Sequence, residues 1–106
     1  MKNCHLTTRF GKGISNPSEK DLLKALEELK LKDNEHTDTS LANEDGWSIS
    51  IYENGLAVLE NVETGEGPWH MKKIPNENAL KFWKHLQLGE LNNIQDNAWS
   101  SGYGNA

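Results

Sequence analysis

Four histidines, one cysteine and sixteen Asp and Glu residues carry the side chains of this 106-residue chain best suited to acid–base, nucleophilic or metal-assisted chemistry. His5, His36, His70 and His85 sit at no spacing that metal ligation uses, so their arrangement does not point to a metal site. The sequence holds no HExxH run, no complete phosphate-binding loop and no nucleophile elbow. Gly11-Lys12-Gly13 lacks the remaining glycines and hydroxyl of such a loop and reads as a turn. Cys4 would need a base and an anion hole to act as a nucleophile, and reads as a structural thiol. As the single cysteine it forms no intramolecular disulfide. A catalytic pair would have to be assembled from distant residues such as His70 and Glu60, brought within hydrogen-bond reach. The expectation is a protein that is not an enzyme and uses no cofactor and no metal.

The carboxylates follow a pattern of their own. Asp33, Glu35 and Asp38 precede a run of strand-like sequence, Glu44 and Asp45 lead into a hairpin, and Glu63 and Glu66 occupy the next loop. If those loops meet at one end of a sheet, they form a negative rim. Trp69 follows directly, and an aromatic beside acidic loops is the composition of an interface anchor. The alternative for Trp69 is a core tryptophan among solvated carboxylates.

These residues depend on the hairpin Gly46–Val62, GWSISIYENGLAVLENV. Asn54-Gly55 is the dipeptide that best fits a two-residue type I′ turn, in which both central residues need φ > 0. Such a turn places Glu53 opposite Leu56, Ile51 opposite Val58, Ile49 opposite Glu60 and Trp47 opposite Val62. Glu60 then falls on the core side, where it reaches the sheet edge, pairs with Arg9, or serves as a recognition anchor or general base. The other face carries Ser48, Ser50, Tyr52, Leu59, Asn61 and His70. Tyr52 is a peripheral candidate for partner contact there. With one aromatic on that face and no basic groove, single-stranded nucleic acid is disfavoured.

Around the hairpin, His5 to Phe10 predicts a first strand. Asn16-Pro17-Ser18-Glu19 opens a helix with Asn16 as cap and Glu19 as the capping-box carboxylate. Leu22, Leu23, Ala25, Leu26 and Leu29 supply its apolar stripe. Lys32 to Thr37 reads as a loop, Thr39 to Ala42 as a strand, and Trp69 to Ile74 as another, stopped by Pro75. Asn76 caps a second helix bearing Ala79, Leu80, Trp83 and Leu86, which Gly89 ends. The expected fold is α+β: an antiparallel sheet of four to five strands with two amphipathic helices on one face. Residues 1–106 are expected to form one domain, with 92–106 a partly extended tail and with Leu91, Ile94 and Trp99 folding back on the domain. Trp47, Ile49, Ile51, Leu56, Val58, Val62, Trp69 and Met71 are expected to face the helices.

Composition narrows the partners. The formal charge is −5, the isoelectric point near 5.3 and the mean hydropathy −0.77. An acidic surface repels phosphate backbones, which argues against nucleic-acid binding, and favours a partner with a basic surface. No apolar run is long enough for a bilayer span or a signal peptide, so no membrane association is expected and the cytoplasm is the expected compartment.

GWSISIYENGLAVLEN, His70-Met71, ALKFWKHLQLGELNNI and the late Trp99 resemble small immunity proteins of bacterial polymorphic-toxin systems, the Imm1-like group. The likeness covers Asp45 to Trp99 and rests on a hydrophobic pattern and a tryptophan-bearing helix; it transfers no site residues. The resemblance implies a cytoplasmic protein that binds and neutralises a cognate toxin domain, of nuclease or deaminase type with a basic cleft, by occluding its active site. The expected partner-binding residues are Glu44, Asp45, Tyr52, Glu63, Glu66 and Trp69. A small-molecule-binding domain or small enzyme, and a homo-oligomeric scaffold subunit, are the alternative classes. The sequence leaves the oligomeric state open.

Overall fold

The computed structural model of the chain describes residues 2–31 and 37–104. Asp33, Glu35, His36 and most of the expected 32–37 loop lie outside the described residues. In chain order the elements are β1 (Cys4–Thr7), β2 (Gly13–Ser15), α1 (Glu19–Glu28), β3 (Asp38–Asn43), β4 (Trp47–Tyr52) and β5 (Ala57–Asn61). They continue with β6 (Trp69–Met71), α2 (Asn76–Leu88), α3 (Leu91–Gln95) and β7 (Ser100–Ser101). The strands form one antiparallel sheet in the order β2-β1-β3-β4-β5-β6-β7.

Among the described residues seven strands replace the four to five expected. The additional ones include the two edges, β2 with sequence GIS and β7 with sequence SS. Strands this short need only backbone bonds to one neighbour and carry too few side chains to show an alternating pattern. Short edges also offer little template for pairing with other chains.

The helix starts differ from their sequence signals, later for α1 and one residue earlier for α2. Ser18, not Asn16, caps α1: Asp21 N–H donates to Ser18 Oγ at 3.2 Å and Ser18 N–H to Asp21 Oδ2 at 2.9 Å. The bonds from Ser18 hold the Asp21 carboxyl below its ordinary range. Asn16 instead adopts φ +47° and accepts from Cys4 N–H at 2.9 Å, ending the β1–β2 hairpin. Pro75 takes the cap position of α2, and Gly89 closes it at φ +75°, the left-handed conformation that the C-terminal glycine predicts. Arg9 closes α1 from outside, donating to Glu28 O at 2.9 Å and to Leu31 O, while its other nitrogen meets Glu53 Oε2 at 2.8 Å. The partner of Arg9 is therefore Glu53, not Glu60.

One core holds the sheet to α1 and α2. Leu6, Leu41, Ile49, Ile51, Ala57 and Leu59 join Leu22, Ala25, Leu26, Ala79, Phe82, Trp83, Leu86 and Ile94 in a single cluster. Both helices thus bury their stripes on the same face. Trp83 is fully buried, and its indole N–H donates to Ile49 O at 3.1 Å in the central strand β4. That bond satisfies the one polar atom that α2 brings into the core with its largest side chain. Ile94 is wholly buried and β7 pairs with β6, so residues 92–104 are built into the domain through α3 and β7.

The β4–β5 register differs by one residue from that of a two-residue turn. Ile51 pairs with Ala57, Ile49 with Leu59, Ser48 with Glu60 and Trp47 with Asn61. The connection is a three-residue loop, Glu53-Asn54-Gly55, closed by Gly55 N–H to Tyr52 O at 3.0 Å and Tyr52 N–H to Leu56 O at 2.8 Å. Gly55 takes φ +83° and Asn54 does not take a positive φ, so the turn uses the same dipeptide in another geometry. A slip of one residue exchanges faces along the whole strand. Ala57, Leu59 and Asn61 therefore face the helices, and Glu60 faces away from them. Leu56 and Val58 are buried but outside the helix-side core, and Val62 is 66% exposed.

A methyl group at Gly55 would lie 3.3 Å from Lys73 Cα, whereas one at Gly65, φ +81°, meets nothing within 4 Å. Gly65→Ala is expected to cost only the left-handed strain of about 1–2 kcal/mol, and Gly55→Ala more than that. Urea midpoints of the two variants, at unchanged dependence on denaturant, check the order.

Candidate functional site

Successive antiparallel hairpins put alternate turns at the same end of a sheet. The β3–β4 turn with Glu44 and Asp45 and the β5–β6 loop with Glu63 and Glu66 are thus brought together, as a negative rim requires. Asn61, the last residue of β5, joins them. Its Oδ1 accepts from Glu63 N–H at 2.9 Å and Thr64 N–H at 3.0 Å, and its Nδ2 donates to Asp45 O at 3.1 Å. Val62 N–H also donates to Gly46 O at 2.9 Å. Gly46 takes φ +90°, and a Cβ there would sit 2.7 Å from Asn61 Oδ1 and 2.8 Å from Glu63 Cγ. Only glycine lets the two turns close this tightly.

Each turn is also braced internally. Asn43 Oδ1 accepts from Asp45 N–H at 3.0 Å and Trp47 N–H at 3.1 Å. Glu66 Oε1 accepts from the Thr64 hydroxyl at 3.1 Å. Glu44 Oε1 accepts from Asn3 N–H at 3.1 Å, and Asp45 forms an ion pair with Lys2 at 2.9 Å. Hydrogen bonding and charge from Asp45 raise the Lys2 ammonium above its ordinary range. Glu63 has no ion-pair partner among the described residues.

The other two candidates divide. Trp69 opens β6 beside the rim, half-buried, with its ring stacked on Trp47 at 6.3 Å and 18°. It packs against the core and still faces a cavity of about 290 Å³ lined by Leu59, Trp69, Gln95, Asn97 and Trp99. Tyr52 lies at the opposite end of β4, opposite Asp38, and is separated from the rim by the length of the strand. Burial, then the charges of Asp38 and Glu60, push the Tyr52 hydroxyl upward. Burial likewise raises the Asp38 carboxyl. Asp38 also belongs to this far end and not to the rim.

Glu60 and His70 share the sheet face away from the helices but do not bond to each other. Glu60 Oε1 accepts from the Tyr103 hydroxyl at 2.9 Å, and His70 Nδ1 meets Gly102 O at 2.9 Å. The carboxylate on Glu60 raises the Tyr103 hydroxyl. Among the described residues no group of three or more His, Cys, Asp or Glu side chains is placed to hold a metal ion. Among the described residues no helix is long and apolar enough to cross a membrane.

Sequence reasoning set Asn61 on the face away from the helices, which the register overturns, and missed Gln95 and Asn97. Asn61 sits two residues before Glu63 and three before Thr64, the offsets at which an Asn side chain caps a turn, which is the signal that could have marked it. Gln95 ends the one-turn helix α3 and Asn97 follows it, and neither carries such a mark. Comparison with known proteins finds no matching family model, no matching curated protein and no matching solved structure.

Two outcomes follow from this geometry. Asn61→Ala removes three bonds and is expected to cost about 1–3 kcal/mol, with faster amide exchange at Glu63 and Thr64. Asp38→Asn is expected to raise the urea midpoint near neutral pH. Burial raises the folded carboxyl above 3.8, so the wild type is penalised once ionised. The advantage of the variant should fade at about pH 3, where the wild-type carboxyl is protonated in both states.

Proposed function

We propose that this chain is an immunity-type protein that binds a cognate toxin domain in the cytoplasm and neutralises it by covering a basic active-site cleft. The single observation that carries the reading is the joining of the Glu44–Asp45 turn to the Glu63–Glu66 loop through the Asn61 side chain. Carboxylates held on braced turns lose little conformational freedom on binding, so more of their attraction appears as affinity. An acidic array facing a basic cleft also speeds encounter and selects against acidic or neutral surfaces. The net charge of −5 supports the same direction. Glu44, Asp45, Glu63 and Glu66 supply the charge and Trp69 the aromatic anchor. Tyr52, at the far end of β4, is left out of this surface. The resemblance to immunity proteins supplies the class of partner.

The test begins with the tagged chain and an extract of its native host, from which a toxin-domain protein should co-purify in stoichiometric amount with its activity blocked. The fourfold variant Glu44→Lys, Asp45→Lys, Glu63→Lys and Glu66→Lys should then weaken that complex on the order of 100-fold at low salt, mainly through slower association. Raising the salt should narrow the difference. Unchanged affinity in the variant would exclude the rim as the binding surface.

A further inference from the structure

Two of the polar groups that line the cavity beside Trp69, those of Asn97 and Trp99, have their hydrogens already committed. Asn97 Nδ2 donates to Asn93 O at 2.9 Å and to Ile94 O at 3.0 Å, which leaves Asn97 Oδ1 as an acceptor. Trp99 Nε1–H donates to Ile94 O at 2.7 Å, so toward the cavity its indole offers carbon and π surface. Leu59, 1% exposed, closes the cavity from the sheet side. Gln95 adds a second carboxamide, and among the described residues no charged side chain lines the space. The acidic β5–β6 loop presses on the same wall: a Cβ at Gly67 would lie 3.0 Å from both Trp69 Cε3 and Leu59 O. Glu66 is the next residue.

Aromatic faces plus acceptor oxygens beside a negative loop select a flat cation that donates hydrogen bonds. A guanidinium fits each of these features. Its plane lies on an indole face, and its N–H edge meets carboxamide oxygens in plane. An ammonium is more strongly hydrated and has no plane to stack. A phenylalanine ring would cover Asn97 Oδ1 without pairing it, and a tyrosine or tryptophan would bring one donor and no charge. At about 290 Å³ the cavity is at the small end of ligand sites, the scale of one inserted side chain.

We propose that this cavity is the seat for one arginine side chain of the partner, stacked against Trp69 and Trp99 and donating to Asn97 Oδ1 and Gln95 Oε1. The partner's identity rests on the proposed function, whereas the seat can be tested without it. The probes are three pentapeptides of four lysines around a central arginine, citrulline or lysine, titrated against the chain with the indole N–H resonances of Trp69 and Trp99 as readout. The arginine peptide should bind about tenfold more tightly than the other two and shift both resonances. Gln95→Lys, at an exposed position, should abolish that preference, and the fourfold rim reversal should weaken all three peptides alike. Equal binding of the arginine and citrulline peptides, shifts elsewhere, or a preference that survives Gln95→Lys would overturn the seat. An arginine preference without any toxin partner would instead sink the immunity reading and leave the seat standing. A toxin complex held by the rim with no arginine preference would do the reverse.

Discussion

The three-residue turn Glu53-Asn54-Gly55 fixes which face of β5 every residue occupies, and the rest of the structure depends on that choice. With Gly55 in the left-handed region, Leu59 enters the helix-side core and Glu60 leaves it. A slip of one residue would bury the Glu60 carboxylate among Ile49 and its neighbours, at a desolvation cost far above the strain of any turn. It would also take Asn61 away from Asp45 O and unfasten the two acidic turns. Trp83 holds the same register from the helix side, since its bond to Ile49 O ties α2 to the strand that pairs with β5.

The basic residues nearest these features serve the fold. The Arg9 guanidinium is fully enclosed, closing the carbonyl end of α1 and pairing with Glu53 across 44 residues of sequence. Burying it is tolerable because its charge and several of its donors are matched at once. Lys2 meets Asp45 at the surface, where an ion pair contributes little to stability and leaves most of the surrounding field intact. The acidic end therefore keeps its sign even though one of its carboxylates is paired.

Much of this architecture was legible because it is local. The apolar stripes of α1 and α2, the Gly89 stop, the alternation of β4 and the existence of its hairpin all follow from residues within one or two turns of chain. Antiparallel succession then brings Glu44, Asp45, Glu63 and Glu66 to one end without further information. What was not legible depends on choices between near-equal local options. Asn54-Gly55 serves both a two-residue and a three-residue turn, and the packing of Leu59 against the helices decides between them. Asn16 and Ser18 are both good caps, and the bond from Cys4 N–H claims the first. The Arg9–Glu53 pair and the cavity around Asn97 are contacts between distant segments, which no sequence window contains.

The C-terminal segment covers part of the sheet face away from the helices, which supports placing the proposed binding surface at the end of the sheet. Beyond β7 the chain turns over the face away from the helices, with Tyr103 on Glu60, Gly102 O on His70, and Gly104 so close to the His70 ring that a Cβ would sit 2.6 Å from Cδ2. Val58, on that face, is only 1% exposed. The β5–β6 half of the sheet is thus covered on one side by helices and on the other by its own tail, and its outer edge is capped by β7. In the proposed complex the turns meet the partner first. The acidic β5–β6 loop carries Glu66 and, through Gly67, packs on Trp69 and Leu59 of the cavity wall, so the proposed long-range attraction and shaped contact share one loop.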